Sequence, residues 1–283
     1  MSANGLDPVT LQVMIGGLRA ACEEMGAVLI HSAHSANIKE RRDCSTALFD
    51  AEGEMVMQAE HIPVHLGSMP EAVAAVIGEE QHPGGAWMLN DPYSGGTHLP
   101  DITLVSPIFV DDELAGFAAS RAHHADVGGP TPGGMPANST KLEQEGLVIP
   151  PTPADGDELE KVASQMRSPK QRLADLRAQR AANRVGELRF MELAERHGPE
   201  KLRVGMAETL AYAERRTRAA IADLPDGRYE ASDVLEDDAA GEPRDVTLRV
   251  AATVDGDALV LDFDGTDPAV EGNLNCPLSV TKS

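Results

Sequence analysis

The chain has 283 residues, 42% of them apolar and 3% aromatic, and its 46 acidic against 24 basic residues give a formal net charge of −22. Such a chain can bury a sizeable core, built mostly from Ala, Val, Leu, Ile and Met. The charge argues against a nucleic-acid binder, which needs a basic footprint, and against attraction to anionic membranes; no apolar run approaches the roughly 20 residues of a membrane span.

Asp7-Pro8 opens a first helix, an aspartate N-cap followed by proline at the first helical position, and Leu11, Met14, Leu18, Cys22, Met25 and Leu29 carry its apolar spacing to about Ser32. Two short strands follow, Thr46–Asp50 and Met55–Gln58, around a turn at Ala51–Glu54. A helix is expected from about Met69 to Gly78 with Pro70 near its start, then a short buried strand at Ala86–Leu89. Ile102–Val110 and Leu114–Ala122 read as a hairpin around Asp111-Asp112. Residues 128–158 are dense in Gly and Pro and read as one long irregular segment, a kind usually tied to function. Ser168-Pro169 begins a long helix to about His197, and Gly198-Pro199 ends it and starts another. After Pro225-Asp226-Gly227 the period changes to two, giving strands at Tyr229–Leu235, Val246–Val254 and Leu259–Phe263. The fold class is therefore α+β, with largely antiparallel sheet elements and three long helices. Residues 1–223, with their helical segment at 168–222, form a first region, and 224–283 the β-rich start of another.

Cys22, Cys44 and Cys276 are an odd count without C-x-x-C spacing, which fits a reducing compartment. With no signal peptide at the N-terminus, the expectation is a cytoplasmic protein. The acidity reads either as an ordinary soluble surface or as adaptation to high intracellular salt.

Two glycine-flanked segments carry the chemistry. Gly95–Ile102 holds His98 and Asp101; Arg121–Gly129 holds His123, His124 and Asp126. Imidazole and carboxylate converging at one place suit a divalent Mn, Fe or Zn with positions left open for water or substrate. With Asp111-Asp112 as a two-residue turn, Pro100 falls opposite His123 and Asp101 opposite Ala122, so local pairing alone brings the segments together. Alternation puts His123 and His124 on opposite faces, so one of the two ligates, and strand parity does not choose between them. His124 and Asp126 are candidates to orient a ligand, and His61 and His65 to line the pocket. The chain has no G-x-S-x-G elbow and no phosphate loop.

Several longer motifs resemble the hydantoinase B family, which includes hydantoinase B subunits, the matching part of 5-oxoprolinase and the α subunit of acetone carboxylase. They are Asn37–Asp43, His61–Met69, Asn90–Tyr93 running into Gly95–Asp101, His123–Gly129, Gln144–Pro151, Arg167-Ser168-Pro169 and Asp262–Asp267. The resemblance implies a manganese site and maps its ligands onto His98, Asp101 and His123. It implies a hydantoinase A-type partner subunit that binds ATP and phosphorylates the substrate, and so a hetero-oligomer, and it implies that this chain is truncated relative to the family. The expected activity is that of one subunit of an ATP-dependent cyclic-amide hydrolase of the N-methylhydantoinase or 5-oxoprolinase type. Asp91 and Tyr93 would shape the pocket mouth, and His124 or Asp126 would shuttle protons. The alternatives are an acetone-carboxylase-like ligase acting on a ketone and a catalytically silent assembly subunit.

Overall fold

A computed structural model describes residues 6–60, 62–134, 136, 138–236 and 245–283. In chain order the helices and strands are α1 (Pro8–Ser32), α2 (Ala36–Lys39), β1 (Cys44–Asp50), β2 (Met55–Glu60), α3 (His65–Ala74), β3 (Trp87–Leu89), β4 (Asp101–Val110), β5 (Glu113–His123), β6 (Thr152–Pro153), α4 (Glu158–Ser164), α5 (Pro169–His197), α6 (Pro199–Ala222), β7 (Gly227–Leu235), β8 (Val246–Asp255), β9 (Ala258–Asp262) and α7 (Leu278–Thr281). The fold is α+β, as its period changes imply. Among the described residues no helix is long and apolar enough to cross a membrane.

The chain divides into two compact units, one of Met1–Met135, Leu142–Glu208 and Cys276–Ser283, the other of Pro136–Lys141 and Thr209–Asn275. In the first, six antiparallel strands run in the order β2-β1-β5-β4-β3-β6. Helices α1 and α5 pack on each other and cover one face; α3 covers the other. Strand alternation explains which residue goes where. Val105, Phe117 and Ala119 join Met69, Ala72 and Val73 of α3 in one apolar cluster, while Ile102 and Leu104 join Leu159 and Val162 of α4 and Leu176 of α5 in another. The second unit holds an antiparallel sheet in the order β7-β8-β9.

Helix α1 starts where its sequence says: the Asp7 carboxylate accepts the amide protons of Val9 and Thr10 at 3.1 and 3.0 Å. Helix α3 does not. It begins at His65, four residues before the expected start, and Pro70 lies inside it. Pro70 is therefore not a first-turn residue: Pro63 and Val64 turn the chain earlier, and the Ser68 hydroxyl bonds back to the Val64 carbonyl at 2.8 Å. Helix α4, absent from the sequence reading, closes the irregular segment with Leu159, Val162 and Ala163 buried.

Helix α5 presents a buried polar stripe to the sheet: Arg172, Asp175, Gln179 and Asn183, at helical spacing. Buried polar groups need partners. The Asp175 carboxylate pairs with Arg172 at 3.1 Å and accepts the amides of His34 and Ser35; the Gln179 amide donates to the carbonyls of Ile102 and Ser120, and that of Asn183 to the carbonyl of Leu104. These bonds fix the register of α5 on β4 and β5, the strands that carry the candidate site.

Cys22 and Cys44 are buried, and burial pushes both thiols up to about 12. A thiol reagent at neutral pH is therefore expected to label Cys276 alone in the native protein, and all three cysteines after denaturation. Rapid native labelling of Cys44 would contradict this packing.

Candidate metal centre

The β4–β5 hairpin closes through Asp111 and Asp112, with φ of 51° and 64°, the pair of positive values that a type I′ turn requires. Next to this turn the register is the expected one, with Val110 facing Glu113 and Phe109 facing Leu114. A bulge then inserts Ala115, and from Ile108 opposite Gly116 onward every pair is shifted by one. Asp101 therefore faces His123 directly, not Ala122, and His123 does not face Pro100. The correction has a local cause. At Gly116 a Cβ would lie 2.3 Å from the Phe49 carbonyl oxygen, so the bulged strand meets β1 at a point where only glycine fits. The Pro100 carbonyl accepts the His124 amide at 2.8 Å, which makes Asp101 and His123 a non-hydrogen-bonded pair, the kind whose side chains stand closer.

Neighbouring strands extend this face. Strand β1 pairs with β5 so that Cys44 faces Ala122 and Ser45 faces Arg121, and the Asp43 carbonyl accepts the His123 amide at 3.0 Å. Asp43, Ser45, Asp101, Thr103, Arg121 and His123 thus alternate onto the α3 side of the sheet. The first residue of α3, His65, and the loop before β4, carrying Thr97 and His98, close over them.

Asp101 is the hub and is almost completely buried. One carboxylate oxygen, Oδ2, lies 3.1 Å from His98 Nδ1 and 3.5 Å from His65 Nε2, and accepts the Thr97 hydroxyl at 2.6 Å. The other, Oδ1, lies 3.3 Å from His123 Nδ1. His65 is held from its far side by the Ser45 hydroxyl, 2.9 Å from Nδ1. Asp43 Oδ2 stands 3.9 Å from His123 Nδ1. The rings of His98 and His123 are 4.9 Å apart, and both are partly exposed, His98 the more so. Burial alone would raise the Asp101 carboxyl, but the imidazoles of His123, His65 and His98 beside it outweigh that and hold it well below the usual carboxylate range. Burial pulls His98 down, and Asp101 outweighs it, so its imidazole is raised.

Arg121 lies beneath the hub with 0% of its surface exposed. Its guanidinium donates to the Thr103 hydroxyl at 2.7 Å, to the Gly95 carbonyl at 2.8 Å and to the Ser68 hydroxyl. It ties strand, helix α3 and the His98 loop together. Burial lowers it to about 10, so it remains charged at neutral pH, with Asp101 as its opposing charge.

The geometry of these residues suits a divalent cation. The Oδ1 atom of Asp101 is buried and accepts no hydrogen bond, although an imidazole nitrogen stands beside it. Separations near 3 Å between donor atoms are those found between ligands that share an ion with bonds of about 2.1 Å. His98, Asp101 and His123 each offer a donor atom within 4.8 Å of the others, and so do Asp43, His65 and Asp101. The residues fit the group: imidazole nitrogens and an ionised carboxylate, with the Thr97 hydroxyl already bonded to the carboxylate.

The other expected site residues lie elsewhere. His124 turns to the opposite face, where its Nε2 meets the Gln179 side chain at 2.9 Å, and complete burial lowers it to about 4. Asp126 is engaged in its own loop, accepting the amides of Gly128 and Gly133 and the Arg167 side chain. Asp91 caps a 3-10 turn at Pro92–Ser94 by accepting the Tyr93 amide at 2.9 Å, and Tyr93 is 89% exposed. His61 lies outside the described residues. Sequence reasoning missed Asp43, Ser45, Thr97 and Arg121. Asp43 sat inside a quoted motif, but only the β1–β5 pairing reveals where it goes.

The loop itself rests on a close backbone approach. Gly95 has φ +88°, and a Cβ there would lie 2.5 Å from backbone atoms of Glu71 and Ala72. Gly95→Ala is expected to lift the loop from α3 and to weaken any divalent-ion binding that uses His98 roughly 10–100-fold, the range typical of lost support to a ligand. Calorimetric titration of the variant checks this; unchanged affinity would show that the loop does not position His98.

Comparison with known proteins gives a consistent picture. The family model described as hydantoinase B/oxoprolinase matches residues 7–283. The 5-oxoprolinase of Dictyostelium discoideum is 33% identical over 98% of this chain, which covers 23% of that protein. Caprolactamase subunit beta of Pseudomonas jessenii is 36% identical over 84% of this chain and 42% of its own length. The crystal structure of that ATP-dependent caprolactamase superposes with a TM-score of 0.89 at 34% identity, over 98% of this chain and 49% of the other. An acetone carboxylase structure superposes with a TM-score of 0.90 at 20% identity, over 95% of this chain and 39% of the other, a likeness of fold. The chain spans about half the length, or less, of the curated relatives it matches. With nearly its whole length matched by one family model, the chain belongs to the hydantoinase B/oxoprolinase family.

Proposed function

We propose that this chain is the hydantoinase B-type part of an ATP-dependent cyclic-amide hydrolase, with His98, Asp101 and His123 holding a divalent ion, manganese first and iron or zinc next. The observation that carries the reading is Asp101: a buried, ionised carboxylate whose two oxygens face His98 and His123 while one of them lacks a hydrogen bond. When bound, the ion would supply Lewis-acid polarisation of a carbonyl or phosphoryl oxygen and acidity to water.

The remaining roles fall to the chain itself. Asp101 keeps its negative charge at neutral pH and presents Oδ1 toward His123. Thr97 and His65 fix the carboxylate plane through Oδ2, and Asp43 adds negative charge beside His123. His98, on the solvent side, marks where a substrate enters. His124 and Asp126 act as positioning residues: one anchors the end of β5 to α5, the other shapes the loop that follows. The substrate reaches this site phosphorylated on its amide oxygen by an ATP-binding, hydantoinase A-type partner.

The test is turnover with that partner subunit present. Opening of hydantoin, 5-oxoproline or caprolactam coupled to ATP cleavage, and lost in His98→Ala, is the expected result. Bicarbonate-dependent ATP cleavage with a ketone would replace this reading with a carboxylating ligase. Full turnover with His98→Ala would make the chain an assembly subunit.

A further inference from the structure

The β7-β8-β9 sheet of the second unit has one largely apolar face, interrupted by Asp233, on which Val246 and Val254 are buried but most of the large side chains are exposed. Register puts Tyr229, Ala252 and Leu261 side by side on this face, with Leu259 beside Val254 and Leu235 beside Val246. Leu248 shares the face by alternation along β8, and Phe263 continues the alternation of β9. The opposite face is mainly polar, carrying Arg228, Glu230, Ser232, Arg249, Thr253 and Asp262 with Val234, Ala251 and Val260 among them, and an Arg228–Glu230 ion pair at 2.9 Å lies on it. Such segregation marks a sheet with one face meant for burial. Yet Tyr229, Leu235, Leu248, Leu259, Leu261 and Phe263 are each between 39% and 54% exposed. Contiguous apolar surface of this kind marks an interface in a soluble protein.

The occupant is suggested by length and by charge. The solved caprolactamase matches over 49% of its own chain, so it carries about as many residues again outside the matched region. A second copy of this chain would bring another net charge of −22 to the contact. We infer that the apolar face of the β7-β8-β9 sheet seats an apolar layer of the polypeptide corresponding to the unmatched part of caprolactamase subunit beta. This inference does not rest on the metal reading, because its residues belong to the other unit.

The experiment co-expresses the 283-residue chain with the residues of caprolactamase subunit beta that lie outside the matched region. The chain alone should bind the hydrophobic dye ANS. The pair should co-purify at equal stoichiometry, with several-fold lower dye fluorescence and slowed amide exchange across residues 246–263. Leu261→Asp should weaken the complex at least about tenfold, while Val260→Asp, on the opposite face, should leave it intact. Amide exchange on the unsubstituted proteins stands even where Leu261→Asp disturbs the sheet. Failure to co-purify, absence of dye binding by the chain alone, or a homodimer that protects residues 246–263 would each overturn the inference. Metal content of the same samples reports separately on the other unit.

Discussion

Asp101→Ala is expected to abolish divalent-metal binding and any activity that depends on it, and to cost about 3–5 kcal/mol of stability, because removing one member of a buried charge set strands the other. The stranded group is Arg121, a guanidinium with no exposed surface whose opposing charge is Asp101. The Thr97 hydroxyl would lose its acceptor, and three histidines the carboxylate they face, as well. The pH dependence has a defined sign. The Asp101 carboxyl sits well below its ordinary value in the fold, so its contribution is present at neutral pH, down to the unfolded value near 3.9, and is lost as the pH falls through the folded value. In chelator, Asp101→Ala should therefore lower the plateau at neutral pH and flatten the acid limb of the stability curve. Urea unfolding across pH checks both parts. A variant as stable as the parent at neutral pH would show that Arg121 does not depend on Asp101.

Arg121→Met carries the second large effect. The substitution keeps much of the volume but removes donors to the Thr103 hydroxyl, the Ser68 hydroxyl and the Gly95 carbonyl, all buried or partly buried. Each unsatisfied group costs about 1–3 kcal/mol, so a total loss of about 3–5 kcal/mol is expected. Because Gly95 begins the loop that carries His98, metal affinity should fall together with stability, roughly tenfold or more. Thermal unfolding and metal titration on the same sample separate the two. Lost stability with unchanged affinity would make Arg121 a core residue alone, without a hold on the site loop.

Much of the first unit is legible in the sequence because its signals are local. Asp7-Pro8 starts α1, Pro169 starts α5, and the paired aspartates of the type I′ turn close the hairpin that carries Asp101 and His123. What is not legible is set by distant contacts. The bulge at Ala115 depends on how closely Gly116 approaches β1, and that single insertion decides which residue faces His123. Asp43 and Ser45 join the site through the pairing of β1 with β5, across most of a hundred residues of intervening chain, and no spacing rule reaches that far. Arg121 is wholly buried although nothing near it in the chain signals this, since its partners come from α3 and from the loop before β4. His124, adjacent to a proposed ligand, looks equivalent to it in sequence, and only the face it takes sends it to Gln179.

Whether the Asp101 cluster holds a divalent metal is read by elemental analysis of the purified protein after equilibration with manganese, iron(II) or zinc and removal of free ion. About one tightly held ion per chain is expected, lost in both Asp101→Ala and His98→Ala, in keeping with a set of imidazole and carboxylate donors. A chain that retains none of the three ions, or that retains them unchanged in both variants, would contradict it.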